Sequence, residues 1–279
     1  MVSAMVTSAA VALFALSLAV LYFAQPADDA LAAEALLGDW REDESSLPPV
    51  FVDFSETRDR PLDVPEAILK AKRMGAHGIR IYLNLSIEGP VNWDLLLNKK
   101  PAVVEEMYES LRRHDVRLML QVEDHDGRTA KFVSYLFRLW PDMSRRVVVA
   151  SSSPLFLLTL GGNNKAIVKA LVWCPCSVAY TDAMCTRPRN DNLGWHLVAS
   201  AADWFYRWCF GWGLLTRASM ASAVVVDMSH VNECFVRLWR DRGLRVVVVA
   251  SDDPKEQEYL RQVLRVPIVA NYGTWQGRE

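Results

Sequence analysis

Residues 50–83 read as a strand, a helix and a second strand. The apolar run Val-Phe-Val-Asp at 50–53 is followed by a helical pattern over residues 65–74, which Gly75 ends. Residues 78–83 then alternate branched aliphatic side chains with an arginine and a tyrosine. A parallel pair of strands needs a crossover connection, and this helix can supply one. The two strands are therefore expected to pair in parallel. The sequence therefore predicts a sheet built from parallel βαβ units.

Further β-branched runs follow, and most of them are separated by helical patterns. The predicted strands cover residues 50–52, 78–83, 116–122, 146–150, 167–173, 223–227, 244–250 and 267–270. Eight short strands that alternate with helices are the pattern of a (β/α)8 TIM-type barrel. An open doubly wound sheet is the alternative, but no glycine-rich phosphate turn follows the first strand. The sequence predicts the barrel.

Two motifs in the first unit match those of a known family. Residues 75–82, Gly-Ala-His-Gly-Ile-Arg-Ile-Tyr, align with a motif that reads Gly-Ala-x-Gly-Val-Glu-Leu-Asp, and Pro61 aligns with the proline of a Pro-Glu-Asn-Thr motif. Without a gap, Asp53 falls on the first histidine of the same family's His-Arg-Gly motif. On these residues the chain resembles the glycerophosphodiester phosphodiesterases, and most closely the membrane-anchored glycerophosphodiester phosphodiesterase 1 type. The scaffold positions agree, whereas the chemical positions differ.

The resemblance continues beyond the first unit. Residues 243–247, Gly-Leu-Arg-Val-Val, match the family's penultimate strand, and residues 148–151 match a strand that ends on serine. The long segment at 195–222 is a feature of the phosphodiesterase 1 type. The resemblance covers roughly residues 48–272 and implies a phosphodiesterase-like TIM barrel over residues 50–279.

The resemblance also implies a catalytic site, most of which this sequence lacks. The family is understood to hold a divalent metal with acidic residues at the ends of strands two and three, and to use paired histidines as acid and base. The positions of the first histidine and its neighbouring arginine hold Asp53 and Phe54. The positions of the two strand-two carboxylates hold Arg80 and Tyr82.

The later positions differ as well. The acid-x-Lys motif of strand three reads Gln121-Val122-Glu123, and the continuation Trp-Thr-Val-Asn after strand seven is replaced by Val-Ala-Ser-Asp, which ends on Asp252. The short stretch 89–100 has no equivalent of the family's His-Asp motif. Arg, Tyr and Gln do not replace carboxylates around a hard divalent cation. We therefore expect that the protein has no catalytic residue, metal or cofactor, and that it is a pseudoenzyme.

A rebuilt site is the alternative. Asp53, Glu123, Asp124, His125 and Asp252 can share one rim, with His125 and Asp53 as catalytic groups and Asp53 and Asp124 as ligands of a Mg²⁺ or Ca²⁺ ion. The protein would then be an active phosphoric diester hydrolase on glycerophosphodiesters or lysophospholipids. Glu-Asp-His-Asp-Gly at 123–127 also reads as a polar turn after a strand, and the number of simultaneous losses favours the inactive form.

Two positions carry the opposite charge to the family. Arg80 replaces a carboxylate, and Glu123 replaces a lysine. Strand alternation places Arg80 with Tyr82 on one face and Glu123 with Gln121 on one face of the neighbouring strand, and the resemblance implies that this face is the barrel interior. Because a buried arginine requires a partner, the sequence predicts an Arg80–Glu123 salt bridge at the former metal position, with Asp53 close enough to share the guanidinium.

The N-terminal segment predicts a membrane anchor. Residues 1–26 carry no charged side chain, and residues 6–24 are nearly all apolar. About 20 such residues suffice to cross a bilayer. The segment lacks a basic start, which favours an uncleaved signal-anchor over a cleaved signal peptide. Residues 27–49 read as a linker with one short helix. The expected protein is single-pass, and the resemblance implies a luminal or extracellular barrel.

Aromatic residues recur at helical spacing before the sixth strand. Trp204, Trp208 and Trp212, here called the tryptophan ridge, lie four residues apart, and Phe205 and Cys209 extend the same face. A core helix and an interfacial helix are both compatible with this pattern. A spanning helix is disfavoured, because Asp203 and Arg207 would lie in the membrane. We expect the ridge to contact the membrane interface.

Charge and cysteine content restrict the partners. The net charge of −2 and the isoelectric point of about 6.2 indicate no nucleic-acid partner. Five cysteines leave at least one thiol unpaired. Cys-Pro-Cys at 174–176 is too closely spaced for a zinc site, so structural thiols are expected.

The sequence as a whole predicts a lipid-proximal binding module with a role in lipid metabolism, whose partners are membrane lipid and a small phosphodiester or lipid ligand.

Overall fold

The computed structural model of the protein describes residues 26–41, 46–54, 63–83, 101–123, 126–181, 185–273 and 275. The predicted anchor at residues 1–26 lies almost wholly outside this part of the chain. Among the helices that the structure describes, none has both the length and the apolar character needed to span a bilayer.

The sheet is a closed parallel barrel. Its strands are β1 (Val50–Asp53), β2 (Gly78–Leu83), β3 (Arg117–Val122), β4 (Val147–Ser151), β5 (Val168–Val172), β6 (Ala223–Asp227), β7 (Arg245–Val249) and β8 (Ile268–Asn271). Each strand pairs in parallel with the next, and β8 pairs with β1. The predicted (β/α)8 barrel is confirmed, and its strands lie within a few residues of their predicted positions. The closed order excludes the open doubly wound sheet.

Helices surround the barrel. In chain order they are α1 (Asp29–Leu37), α2 (Val64–Arg73), α3 (Pro101–His114), α4 (Gly127–Leu139), α5 (Pro154–Asn163), α6 (Leu193–Gly211), α7 (Leu214–Ala218), α8 (Glu233–Asp241) and α9 (Pro254–Gln262). Short 3-10 turns cover Pro141–Arg145 and Met228–His230. As the sequence predicts, Gly75 follows α2 with a left-handed φ of 69°, a conformation that a glycine adopts without strain.

Strand side chains fill the barrel interior. Phe51, Met119, Val148, Val225 and Val247 belong to one buried interior cluster. The Phe51 ring fits only because its neighbour on β2 is Gly78, where an added Cβ would lie 2.4 Å from Phe51 Cδ1. This close packing gives a physical reason for the glycine in the second motif.

Helix α1 closes the end of the barrel where the strands begin. Leu36 is fully buried against the interior cluster, together with Ala27. Arg117 Nε donates to the Glu34 carbonyl at 3.1 Å, and Arg245 donates to Asp29 Oδ1 at 2.7 Å. The predicted linker at 27–49 therefore contains its predicted short helix, and that helix is packed against the barrel.

A buried lysine lies on the outer face of β5. The Lys169 side chain is 0% exposed, and no described carboxylate lies within ion-pair distance of it. Gly161 on α5 makes room for it, because a Cβ there would lie 2.3 Å from Lys169 Nζ and 2.8 Å from Met220 Sδ. Burial lowers the pKa of the Lys169 ammonium to about 8.

We expect Lys169→Met to stabilise the protein at neutral pH by about 3 kcal/mol, because the difference between pKa values near 8 and 10.5 corresponds to that free energy. The folded pKa lies below the unfolded one, so the unfolded state binds more protons between the two values. The wild-type free energy of unfolding should therefore rise from pH 8 to about 10.5, relative to the variant.

Chemical denaturation at several pH values measures both effects. Lys165→Met is the matched control, because Lys165 is exposed in the turn just before β5. This variant should change neither the denaturation midpoint nor the pH dependence of that midpoint. Equal behaviour of the two variants would show that the Lys169 ammonium is solvated.

Candidate functional site

Polar side chains gather at the mouth of the barrel, where the strands end. Asp53 ends β1 and pairs in register with Arg80 of β2, and Tyr82 pairs with Gln121 of β3. This is the end at which TIM barrels place their functional groups. The structure therefore brings together Asp53, Arg80, Tyr82 and Gln121, all of which the sequence assigns to the degenerate site.

Arg80 is the central group of this cluster. Its residue is only 5% exposed, and its side chain lies in the barrel interior as predicted. Arg80 Nη1 lies 3.5 Å from Asp53 Oδ2, and Nη2 donates a short hydrogen bond to Gln121 Oε1. The guanidinium also lies 5.1 Å from the centre of the Tyr82 ring. Within the described chain, Nε of Arg80 is buried and has no acceptor.

The predicted Arg80–Glu123 salt bridge is wrong. Glu123 follows the end of β3 and is exposed, and no ion pair joins it to Arg80. The partner is Asp53, which the strand register places directly beside Arg80, while Gln121 supplies the contact from β3. The expectation that Asp53 lies close to the guanidinium is confirmed.

Tyr82 and Phe54 complete the mouth. Tyr82 donates its hydroxyl to Asp53 Oδ2 at 3.3 Å. Burial raises the pKa of Tyr82 to about 12, and the nearby Arg80 guanidinium opposes this rise only in part. The Tyr82 phenol is therefore a neutral donor at physiological pH.

Phe54, at the family's arginine position, is buried and stacks on Tyr272 with ring centres 4.6 Å apart.

These residues do not fit a divalent cation. A hard cation takes several oxygen ligands, usually including carboxylates. Here the guanidinium of Arg80 lies between the carboxylate of Asp53 and the amide oxygen of Gln121, so one positive charge already holds both acceptors. In the part of the chain that the structure covers, no group of three His, Cys, Asp or Glu side chains is arranged to hold a metal.

The alternative site is only partly within the described residues. Asp124 and His125 lie outside them, and Asp252 is exposed in the turn after β7. Asp126 begins α4 as its N-cap, accepting from Thr129 N at 2.8 Å, which is the structural role that a polar turn predicts. Hydrogen bonds from Thr129 and Arg128 lower the pKa of Asp126 to about 2.

The tryptophan ridge is exposed. Trp204, Trp208 and Trp212 are 69%, 47% and 66% exposed, and Phe205 lies beside them. Ring centres are 6.1 Å apart for Phe205 and Trp208 and 5.9 Å apart for Trp208 and Trp212. The core-helix interpretation is wrong for this face of α6 and its C-cap Trp212, where the rings of Phe205, Trp208 and Trp212 form a contiguous aromatic surface.

The opposite face of α6 packs against the barrel. Cys209 is buried there, so the expectation that it extends the ridge is wrong. Phe210 stacks on Trp173 at 3.9 Å, and Asp203 is buried. The Asp203 carboxylate accepts from the backbone N–H groups of Val178 and Ala179 at 3.0 and 2.8 Å. Asp203 therefore joins α6 to the loop after β5 and does not lie at the exposed surface.

One disulfide closes that loop. Cys176 and Cys185 are bonded, with Cα atoms 6.0 Å apart, so the expected free thiol at Cys176 is wrong. Cys174, Cys209 and Cys234 are free, in agreement with the odd cysteine count. Burial raises the pKa of the Cys174 and Cys209 thiols, which is consistent with structural thiols.

Solved structures with the same architecture identify the fold. A protein from Galdieria sulphuraria assigned as a glycerophosphodiester phosphodiesterase is 12% identical, with a TM-score of 0.54 over 82% of this chain and 95% of that one. An Oleispira antarctica phosphodiesterase in complex with the product sn-glycerol-3-phosphate is 12% identical, with a TM-score of 0.52 over 81% and 93%. A glycerophosphodiester phosphodiesterase from Parabacteroides distasonis gives the same four values. The chain has the fold of these phosphodiesterases.

Sequence comparisons add no further relative. No protein-family model matches the chain, and no curated protein matches it. The likeness to glycerophosphodiester phosphodiesterases thus consists of the phosphodiesterase fold, over more than nine-tenths of each of the three solved structures.

Some mouth residues of this phosphodiesterase fold escaped the sequence analysis. Asn271 pairs in register with Asp53 from β8, and Tyr272 stacks on Phe54. Asp227 ends β6. The rule that functional groups follow the ends of barrel strands would have selected all three.

We expect Asp53→Asn to destabilise the protein by roughly 3 kcal/mol, because it leaves the buried Arg80 without a countercharge. Glu123→Gln, the matched control, should change stability by less than about 0.5 kcal/mol, since Glu123 is exposed. Urea denaturation measures both. Adding Arg80→Met to Asp53→Asn should recover most of the lost stability, and an equal loss for Glu123→Gln would contradict the Arg80–Asp53 assignment.

Proposed function

We propose that the protein is a membrane-anchored, glycerophosphodiester phosphodiesterase-like barrel that lacks the family's metal chemistry and acts as a lipid-proximal binding or interaction module. The observation that supports this most directly is the exposed tryptophan ridge on α6. Tryptophan favours the headgroup region of bilayers, where the indole is partly buried and its N–H stays hydrated. An aromatic surface of this kind is unusual on a protein that contacts only water.

The mouth supports the loss of hydrolysis. A glycerophosphodiesterase of this fold needs a cation to neutralise the phosphodiester and a group to protonate the leaving oxygen. The Arg80 guanidinium lies where the resemblance puts a metal-binding carboxylate, and it is engaged with Asp53 and Gln121. Tyr82 cannot replace a histidine as a general base near neutral pH, because its pKa is about 12.

The chain supports a location at a membrane on the oxidising side. The apolar residues 6–24 end just before Pro26, and Ala27 is already buried in the barrel base. The interval between the proposed anchor and the barrel is therefore very short. A disulfide between Cys176 and Cys185 persists in luminal or extracellular compartments and is rare in reducing ones. Membrane lipid is the proposed partner, and a small phosphodiester or lipid is the proposed ligand of the mouth.

Vesicle binding tests the role of the ridge. A chain that begins at Pro26 should bind phosphatidylcholine vesicles, and replacing Trp204, Trp208 and Trp212 with Ser should weaken binding by roughly tenfold or more, since each indole contributes to interfacial partitioning. The folded state should survive, because all three side chains are exposed.

The matched control replaces exposed apolar side chains on other helices: Tyr135, Leu139 and Tyr259. Their change to Ser should leave vesicle binding unaltered. Thermal unfolding confirms that both triple variants are folded. If the ridge variant unfolds, or if it binds vesicles as well as the control does, α6 is not the membrane-contacting element.

A further inference from the structure

Three arginines lie on or beside the elements that carry the tryptophan ridge. Arg207 lies on α6 beside it, Arg217 lies on α7 directly after it, and Arg242 donates to the Gly211 carbonyl at the end of α6 at 2.8 Å. All three arginines are exposed. They contrast with the chain as a whole, whose net charge is −2. Three exposed positive charges thus lie on or beside the elements that carry the aromatic surface.

These three arginines are not engaged with acidic side chains. Among the described residues, no carboxylate lies within ion-pair distance of Arg207, Arg217 or Arg242. Some other exposed arginines are paired, such as Arg237 with Glu233 at 2.8 Å. The nearest acid on α6, Asp203, is buried and accepts two backbone hydrogen bonds. Arg207 Nη2 donates to Cys176 Sγ at 3.5 Å, and the Arg242 guanidinium lies 5.0 Å from the centre of the Trp239 ring. Each guanidinium carries five N–H donors, so both keep donors for an anion.

The start of α1 lies in the same sector of the barrel as the end of the ridge. Asp29, at the start of α1, is paired with Arg245 at the start of β7. Three residues earlier in the chain, Arg242 contacts the C-terminal end of α6. The start of α1, which follows the proposed anchor in the chain, and the C-terminal end of α6 therefore both lie near the base of β7.

We propose that this surface binds a bilayer that carries anionic phospholipids, with the tryptophan ridge inserted at the interface and Arg207, Arg217 and Arg242 on the headgroup phosphates. Guanidinium groups bind phosphate in a bidentate geometry, and basic side chains near an anionic membrane surface each add to binding. This inference rests on the proposed membrane role of α6 and adds to it the class of lipid.

Helix dipoles account for only part of this arrangement. Arg217 lies in the last turn of α7 and Arg242 is the C-cap of α8, where a cation is favourable for the fold itself. Arg207 lies within α6, whose last turn carries no basic residue. Arg73 and Arg113 occupy helix ends on the α2 and α3 side of the barrel, so they have the dipole role without the ridge. They are the matched control.

Hydrogen exchange of α6 tests the proposal on the full chain. The protein is reconstituted in nanodiscs of phosphatidylcholine alone and of phosphatidylcholine mixed with phosphatidylglycerol. We expect slower amide exchange over Leu193–Gly211 in the anionic discs. The slowing should shrink about fivefold for each arginine removed in Arg207→Gln and Arg217→Gln. It should also disappear in about 1 M salt, where charges are screened within about 3 Å.

The outcomes separate the two proposals. Arg73→Gln with Arg113→Gln should leave the effect of anionic lipid unchanged, and intact melting temperatures establish that every variant is folded. Equal protection of α6 in both kinds of disc, or equal effects of the two arginine pairs, would overturn the anionic-lipid proposal and leave the membrane role of the ridge intact. An α6 that exchanges in discs as fast as in detergent-free buffer would overturn both.

Discussion

Closure of the parallel barrel is the constraint on which the rest of the structure depends. Because β8 pairs with β1, no strand edge is left free, and the interior must be filled by the strands' own side chains. The fit of Phe51 against Gly78 shows how little space remains. Helix α1 closes the base, so polar chemistry inside the barrel is confined to the mouth. The identity of a few side chains there decides what the fold can do.

At the mouth, one buried cation organises its neighbours. Arg80 cannot be left unpaired in a packed interior, and it holds Asp53 and Gln121 as acceptors while Tyr82 lies beside it. A positive side chain thus lies where the family resemblance calls for a negative one. The Arg80–Asp53 ion pair joins β1 to β2 at this position. The exposed surface of α6 is then the most distinctive feature outside the mouth.

Much of the fold could be predicted from local sequence patterns, because β-branched runs that alternate with helical patterns form the strands of a parallel barrel. The inward direction of Arg80 followed from strand alternation. Its partner did not, because the choice between Asp53 and Glu123 depends on strand register and on where β3 ends, one residue before Glu123. The position of Cys209 was mispredicted because Phe210 and Asp203, and not the ridge, set the buried face of α6. The Cys176–Cys185 bond depends on a loop path that spacing does not encode.

The most direct test of a metal-free mouth is a hydrolysis assay on the full chain in detergent. Glycerophosphocholine and a lysophospholipid are each incubated with Mg²⁺ or Ca²⁺, and release of glycerol phosphate or of the headgroup is measured against heat-denatured protein. The structure predicts no release above that background, because Arg80 occupies the acceptors that a metal would need. Metal-dependent turnover at about 1 s⁻¹ or faster, abolished by Asp53→Asn, would contradict the account.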